Sequence, residues 1–134
     1  MSDTALPGLH HIALTVTDIE ASIPWYERVF GITFQMEYGH EGGEGKLLAD
    51  PAWRLVIVLH RHDANESERF AESRTGLDHV GFAVSTRAEL DAWQQHLTAL
   101  DVVQSPIAET PYGDILVFRD PDNIQLELFA PPRT

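Results

Sequence analysis

The sequence contains no cysteine. That excludes a disulfide scaffold, a thiol nucleophile and a zinc–thiolate cluster, and it fits a reducing compartment. Long apolar runs are missing as well: no window approaches the roughly 18 residues that span a bilayer. Met1-Ser2-Asp3-Thr4 carries neither the basic nor the apolar region of a secretion signal. The expectation is a soluble, cytoplasmic protein with no membrane partner. Positive charge is scarce, with 9 Lys and Arg against 21 Asp and Glu and a formal net charge of −12. Such a chain repels phosphate backbones, which argues against nucleic acid as a partner. It attracts a cationic small molecule weakly. A phosphate loop is absent too. The stretch 38–46 is rich in glycine, but a Walker motif needs Gly where His40 stands and Ser or Thr where Leu47 stands. It reads as a flexible loop, either a lid or a long hairpin connection.

What is present is a repeat. Gly8-Leu9-His10-His11-Ile12-Ala13-Leu14-Thr15-Val16 returns as Gly76-Leu77-Asp78-His79-Val80-Gly81-Phe82-Ala83-Val84, and Trp25 and Trp93 keep the same offset. At 134 residues, with 43% hydrophobic and 22% charged side chains, the chain suits one globular domain over 1–134. Within it, two modules at about 8–60 and 76–130 flank a linker at about 61–75. In the first module, strand 9–16 leads through Thr17-Asp18 into a helix over 19–30. Pro24 is tolerated there if the regular helix starts near Ser22, and Gly31 stops it. Strands follow at 32–37, 46–49 and 53–60. The linker carries a short helix around 67–73. The second module repeats the order: strand 77–84, a helix to about Ala99 opened by the capping box Thr86-Arg87-Ala88-Glu89, then strands 102–108, 114–119 and 124–129. Two tandem βαβββ modules imply an α+β fold, a curved mixed sheet forming a cup around a cavity, and whether that cavity binds a metal depends on the side chains that face it.

Strand alternation assigns faces. Ile12, Leu14 and Val16, Val80, Phe82 and Val84, and Ile124, Leu126 and Leu128 take the helix side. His11, His79 and Glu127 take the other. Two imidazoles and a carboxylate on one cavity are ligands for a borderline divalent metal.

The duplicated strand–helix–three-strand order, with His in the first strand of each half and Glu in the last, resembles the vicinal oxygen chelate superfamily. That group holds glyoxalases, bleomycin and fosfomycin resistance proteins, epimerases and extradiol dioxygenases. The motifs that carry the likeness are His11-Ile12-Ala13-Leu14-Thr15-Val16-Thr17-Asp18, Trp25-Tyr26-Glu27-Arg28-Val29-Phe30-Gly31, and Phe118-Arg119-Asp120-Pro121-Asp122-Asn123 running into Glu127-Leu128. The resemblance implies a divalent ion (Fe, Zn, Ni, Mn or Co) on His11, His79 and Glu127, chelated by neighbouring oxygens of a small-molecule substrate. It also implies a homodimer.

Its fourth ligand position falls in strand 53–60, where Ile57, Val58 or Leu59 stands opposite Glu127 and no carboxylate or amide is present. His60 is either that ligand or a solvated strand end. Tyr112 is a candidate substrate contact or acid, against the plainer reading of a turn tyrosine. The implied reaction is isomerase, lyase or ring-cleaving dioxygenase chemistry. The alternative is a non-catalytic binder of the bleomycin-resistance kind that sequesters a cationic small molecule.

Overall fold

The computed structural model describes residues 3–132. The order is β1 (Ile12–Thr15), α1 (Ile19–Phe30), β2 (Thr33–His40), β3 (Gly43–Ala49), β4 (Val56–His62), β5 (Val80–Ala83), α2 (Arg87–Ala99), β6 (Ala108–Thr110), β7 (Gly113–Arg119) and β8 (Gln125–Ala130). The chain divides into two compact units, one ending at Asn65 and the other beginning at Glu66. Each holds one helix and one four-stranded mixed sheet, ordered β1-β4-β3-β2 in the first and β5-β8-β7-β6 in the second. Among the described residues no helix is long and apolar enough to cross a membrane.

In the first unit, Asp18 caps α1. Its Oδ1 accepts from the amides of Glu20 and Ala21 at 3.1 and 3.3 Å. Gly31 closes the helix at φ +72°, its amide donating to the Glu27 carbonyl at 2.9 Å. The helix begins at Ile19, so Pro24 lies in its interior rather than in the first turn as expected. Its ring removes the bond that the Glu20 carbonyl would otherwise accept. Burial of Ile19, Ser22, Tyr26 and Val29 on one stripe holds the helix in spite of that loss.

β1 and β4 run parallel, and β4, β3 and β2 are antiparallel. The stretch 38–46 is not a flexible loop. It is a hairpin with only Glu41 and Gly42 at its tip, and Gly42 takes the left-handed φ of +81°. Cross-strand pairing prevails over the low strand propensity of four glycines. β4 starts at Val56 rather than at Trp53, which bends at φ +57° and is 44% exposed.

In the second unit, Thr86 Oγ1 accepts from the Glu89 amide at 3.1 Å. The Glu89 carboxylate reaches back to the amide of Ser85 at 2.8 Å, one residue before the position a standard capping box serves. Strand 102–108 does not form. An isolated bridge at Gln104 and the three-residue β6 take its place. Asp120 organises the turn between β7 and β8: its Oδ1 accepts from the amides of Asp122 and Ile124, both at 2.8 Å.

Residues 67–73 form no helix. They are fastened to that turn instead. The Phe70 amide donates to the Asp122 carbonyl at 3.0 Å, Asn123 Nδ2 donates to the Phe70 carbonyl at 3.0 Å, and the Arg119 guanidinium grips Glu72 at 3.0 and 3.2 Å. Arg119 holds the Glu72 carboxyl at about 2, from an ordinary 4.5. A carboxyl depressed in the folded state stabilises it fully above the unfolded pKa and loses that contribution as pH falls through the folded one. The stability difference between wild type and Glu72→Gln is therefore expected to be complete above about pH 5, to shrink below it and to vanish near pH 2. Urea titrations across that range measure it; a pH-independent difference contradicts the pairing.

Candidate metal centre

His11 and His79 each stand one residue before the first strand of their unit. In β1, Leu14 is buried while Ala13 and Thr15 are exposed, as strand parity requires. In β8, Leu126, Leu128 and Ala130 are buried between half-buried Gln125, Glu127 and Phe129. β5 lies parallel to β8 with Gly81 opposite Glu127, so the side chain two residues earlier, His79, shares the Glu127 face.

The structure brings these two together: His79 Nε2 lies 3.4 Å from Glu127 Oε2. Three further features shape the pair. His79 Nδ1–H donates to Asp78 Oδ1 at 2.8 Å, which fixes the tautomer and turns Nε2 toward Glu127. Gln125 Nε2 donates to Glu127 Oε2 at 2.9 Å and sets the carboxylate plane. The imidazole pKa is raised, first by the Asp78 hydrogen bond and then, against desolvation, by the charges of Glu127 and Asp78. An acceptor nitrogen and a carboxylate oxygen side by side, each oriented by an outer partner, suit a divalent ion.

His11 belongs to the first unit, where its Nδ1 lies 2.9 Å from Nδ1 of His10. The register settles which residue of β4 matches Glu127. Ala13 pairs with Val58 as Gly81 pairs with Glu127, so Val58, 3% exposed, stands at the equivalent position. His60 lies two residues further along the same face. Tyr112, at the tip between β6 and β7, is 79% exposed.

His60 has other company. Across the first sheet, Tyr38, Gly45 and His60 form one row, and His40, Gly43 and His62 the next. Each row has glycine on the middle strand, so side chains from both flanks meet above it. His40 Nε2 lies 3.2 Å from His60 Nδ1, and the Tyr38 hydroxyl 3.0 Å from His60 Nε2. The ligand nitrogens of His40, His60 and His62 lie within 4.8 Å of one another. Ala13, Thr15 and Tyr38 complete with them a cavity of about 390 Å³. Burial first, then the neighbouring His40, His62 and His11, lowers the His60 pKa.

Residues 8–128 match the Glyoxalase/Bleomycin resistance protein/Dioxygenase superfamily, and the chain belongs to that family. A glyoxylase/bleomycin resistance protein/dioxygenase domain from Frankia sp. EAN1pec superposes with a TM-score of 0.86 at 34% identity, over 95% of this chain and 99% of that one. The putative ring-cleaving dioxygenase MhqA of Bacillus subtilis is 27% identical over 90% of this chain and 39% of its own length. The fold also matches the fosfomycin resistance protein FosX from Listeria monocytogenes, solved with Mn(II) and sulfate, at a TM-score of 0.65 and 22% identity over 94% and 93% of the two chains.

Proposed function

We propose that this chain is a divalent-metal-dependent enzyme acting on a small, vicinally oxygenated substrate by isomerisation, elimination or ring cleavage. His79 and Glu127 serve as metal ligands, and His11, the counterpart of His79 through the internal repeat, as the third. One observation carries the reading. The His79 imidazole is held by Asp78 with Nε2 turned onto a carboxylate that Gln125 orients in its turn.

The ion supplies Lewis-acid stabilisation of negative charge building on substrate oxygens, worth several kcal/mol. Asp78 and Gln125 keep the two ligating groups in place before substrate arrives. Val58 at the fourth position provides no second carboxylate, so the protein's donors number two imidazoles and one carboxylate, the set non-haem iron oxygenases use. Likeness to a protein named as a putative ring-cleaving dioxygenase, MhqA, also favours the ring-cleaving branch.

Metal analysis of untagged protein tests the proposal. His79→Ala is expected to carry one equivalent less per chain than wild type. Equal content in the two proteins overturns it. Iron as the equivalent lost selects the oxygenase branch.

A further inference from the structure

We infer that His40, His60 and His62 form a second divalent-metal site, built on one face of the first sheet from β2 and β4 alone. Three nitrogen donors converge from β2 and β4 on one cavity. Such a set selects a borderline ion of the Zn(II), Co(II) or Ni(II) type over Mg(II) or Ca(II), which take oxygen donors.

Hydrogen bonding assigns the ligand atoms. His40 Nδ1 lies 3.1 Å from the Glu41 carbonyl, which only accepts. Nδ1 therefore carries the hydrogen, and Nε2 holds the lone pair that faces the cavity. His60 uses both nitrogens, Nδ1 toward His40 Nε2 at 3.2 Å and Nε2 toward the Tyr38 hydroxyl at 3.0 Å. In the metal-free pocket the His60 Nδ1–H donates to His40 Nε2. An arriving ion takes both lone pairs once that hydrogen moves to His60 Nε2, where the Tyr38 oxygen accepts it. The charge of the imidazole is unchanged, and Tyr38 becomes the outer partner that orients a ligating histidine.

Distances agree with this scheme. Tetrahedral Zn–N bonds of 2.0–2.1 Å place ligand nitrogens about 3.3 Å apart. His40 and His60 already stand at 3.2 Å. The whole set lies within 4.8 Å, so His62, the exposed member, closes at most about 1.5 Å by side-chain rotation. The fourth position opens into the cavity beside Ala13 and Thr15, where water or an oxygen ligand completes the shell.

The glycines of β3 have a role here. A Cβ on Gly45 would lie 2.7 Å from the Tyr38 ring and 2.9 Å from the His60 ring, and one on Gly43 would meet first the Arg61 backbone carbonyl and then the His40 ring at 2.7 Å. The middle strand is bare of side chains where the imidazoles lie over it.

The test uses the full untagged chain carrying His79→Ala and Glu127→Gln, so that the site of the proposed function does not contribute. After chelator treatment and dialysis, Co(II) titration is expected to give one equivalent with tetrahedral d–d absorption, displaced by Zn(II). Adding His40→Ala and His62→Ala is expected to remove that equivalent. Nitrogen-15 spectra of the wild-type imidazoles with Zn(II) are expected to show His60 bound through Nδ1 and His40 through Nε2. This second readout depends on no variant. Absence of the equivalent, its survival in the His40→Ala, His62→Ala chain, or unshifted His40 and His60 nitrogens overturns the site.

Discussion

Glu127→Gln is expected to weaken metal binding on the order of 10³-fold, the share one of three protein ligands holds of a site worth about 10–16 kcal/mol. The substitution keeps the size and planarity of the side chain, so the fold is preserved and the charge alone is lost. Two interactions compete for what remains. The new amide has one oxygen, and both Gln125 Nε2 and the ion call on an acceptor at the position Glu127 Oε2 now holds. Turnover of any substrate the wild type converts falls on the order of 10³-fold, since a Lewis acid worth several kcal/mol corresponds to that factor at about 1.4 kcal/mol per decade. Asp78→Asn provides the graded comparison. It leaves both ligands and removes only the charged partner of His79 Nδ1, for which a 10–100-fold weakening is typical. Mn(II) titration followed by the EPR signal of the free ion measures all three proteins, with His40→Ala and His62→Ala in each background so that one site is read. Wild-type affinity in Glu127→Gln contradicts the assignment of that residue.

The sequence shows why the Glu127 face was legible. Alternation in β1, β5 and β8 is strict, with Leu14, Leu126 and Leu128 buried and their neighbours turned away, so periodicity alone separates His79 and Glu127 from the core. Helix boundaries were legible for an equally local reason: Asp18, Gly31 and Thr86 each satisfy or free the backbone at one end. The motif from Phe118 to Asn123 divides in two. Its Asp120 and Asn123 build the turn after β7, and its Arg119 ties residues 66–75 to that turn through Glu72. A motif that signals the family thus serves the architecture next to the candidate ligand.

The His40–His60–His62 face was hidden by the glycines that make it. Four glycines in nine residues suggest a loop, and a strand broken at Glu37 gives Tyr38 and His40 no face at all. Only the pairing of Tyr38 with Gly45 and of His40 with Gly43 places them opposite His60 and His62. The sequence signal was present in another form: Gly43-x-Gly45 and His60-x-His62 share the two-residue period of a strand. Asp78 has no signature in the sequence: it is hydrogen-bonded to the adjacent His79, and no pattern distinguishes such a neighbour from a solvated aspartate.

Phe118→Ala is expected to lower folding stability by about 3–5 kcal/mol, a large fraction of the roughly 5–15 kcal/mol a typical domain possesses. Phe118 is fully buried in β7, paired in register with Leu126 of β8, beneath a helix that packs on both strands. Truncation removes the ring from a site that the sheet fixes on two sides. Backbone pairing to Leu126 and the bridge to Gln104 prevent the strand from moving inward to fill the space. The cavity term therefore adds to the transfer term instead of relaxing away. Val103→Ala is the control. Val103 is 70% exposed, and its carbonyl, which accepts from the Arg119 amide at 3.0 Å, survives the change, so the effect stays within about 0.5 kcal/mol. Urea unfolding followed by circular dichroism compares the two proteins at equal slope. Similar midpoints for Phe118→Ala and wild type would show that α2 and β8 close over the vacancy, and that the second unit lacks the rigid core from which Glu127 projects.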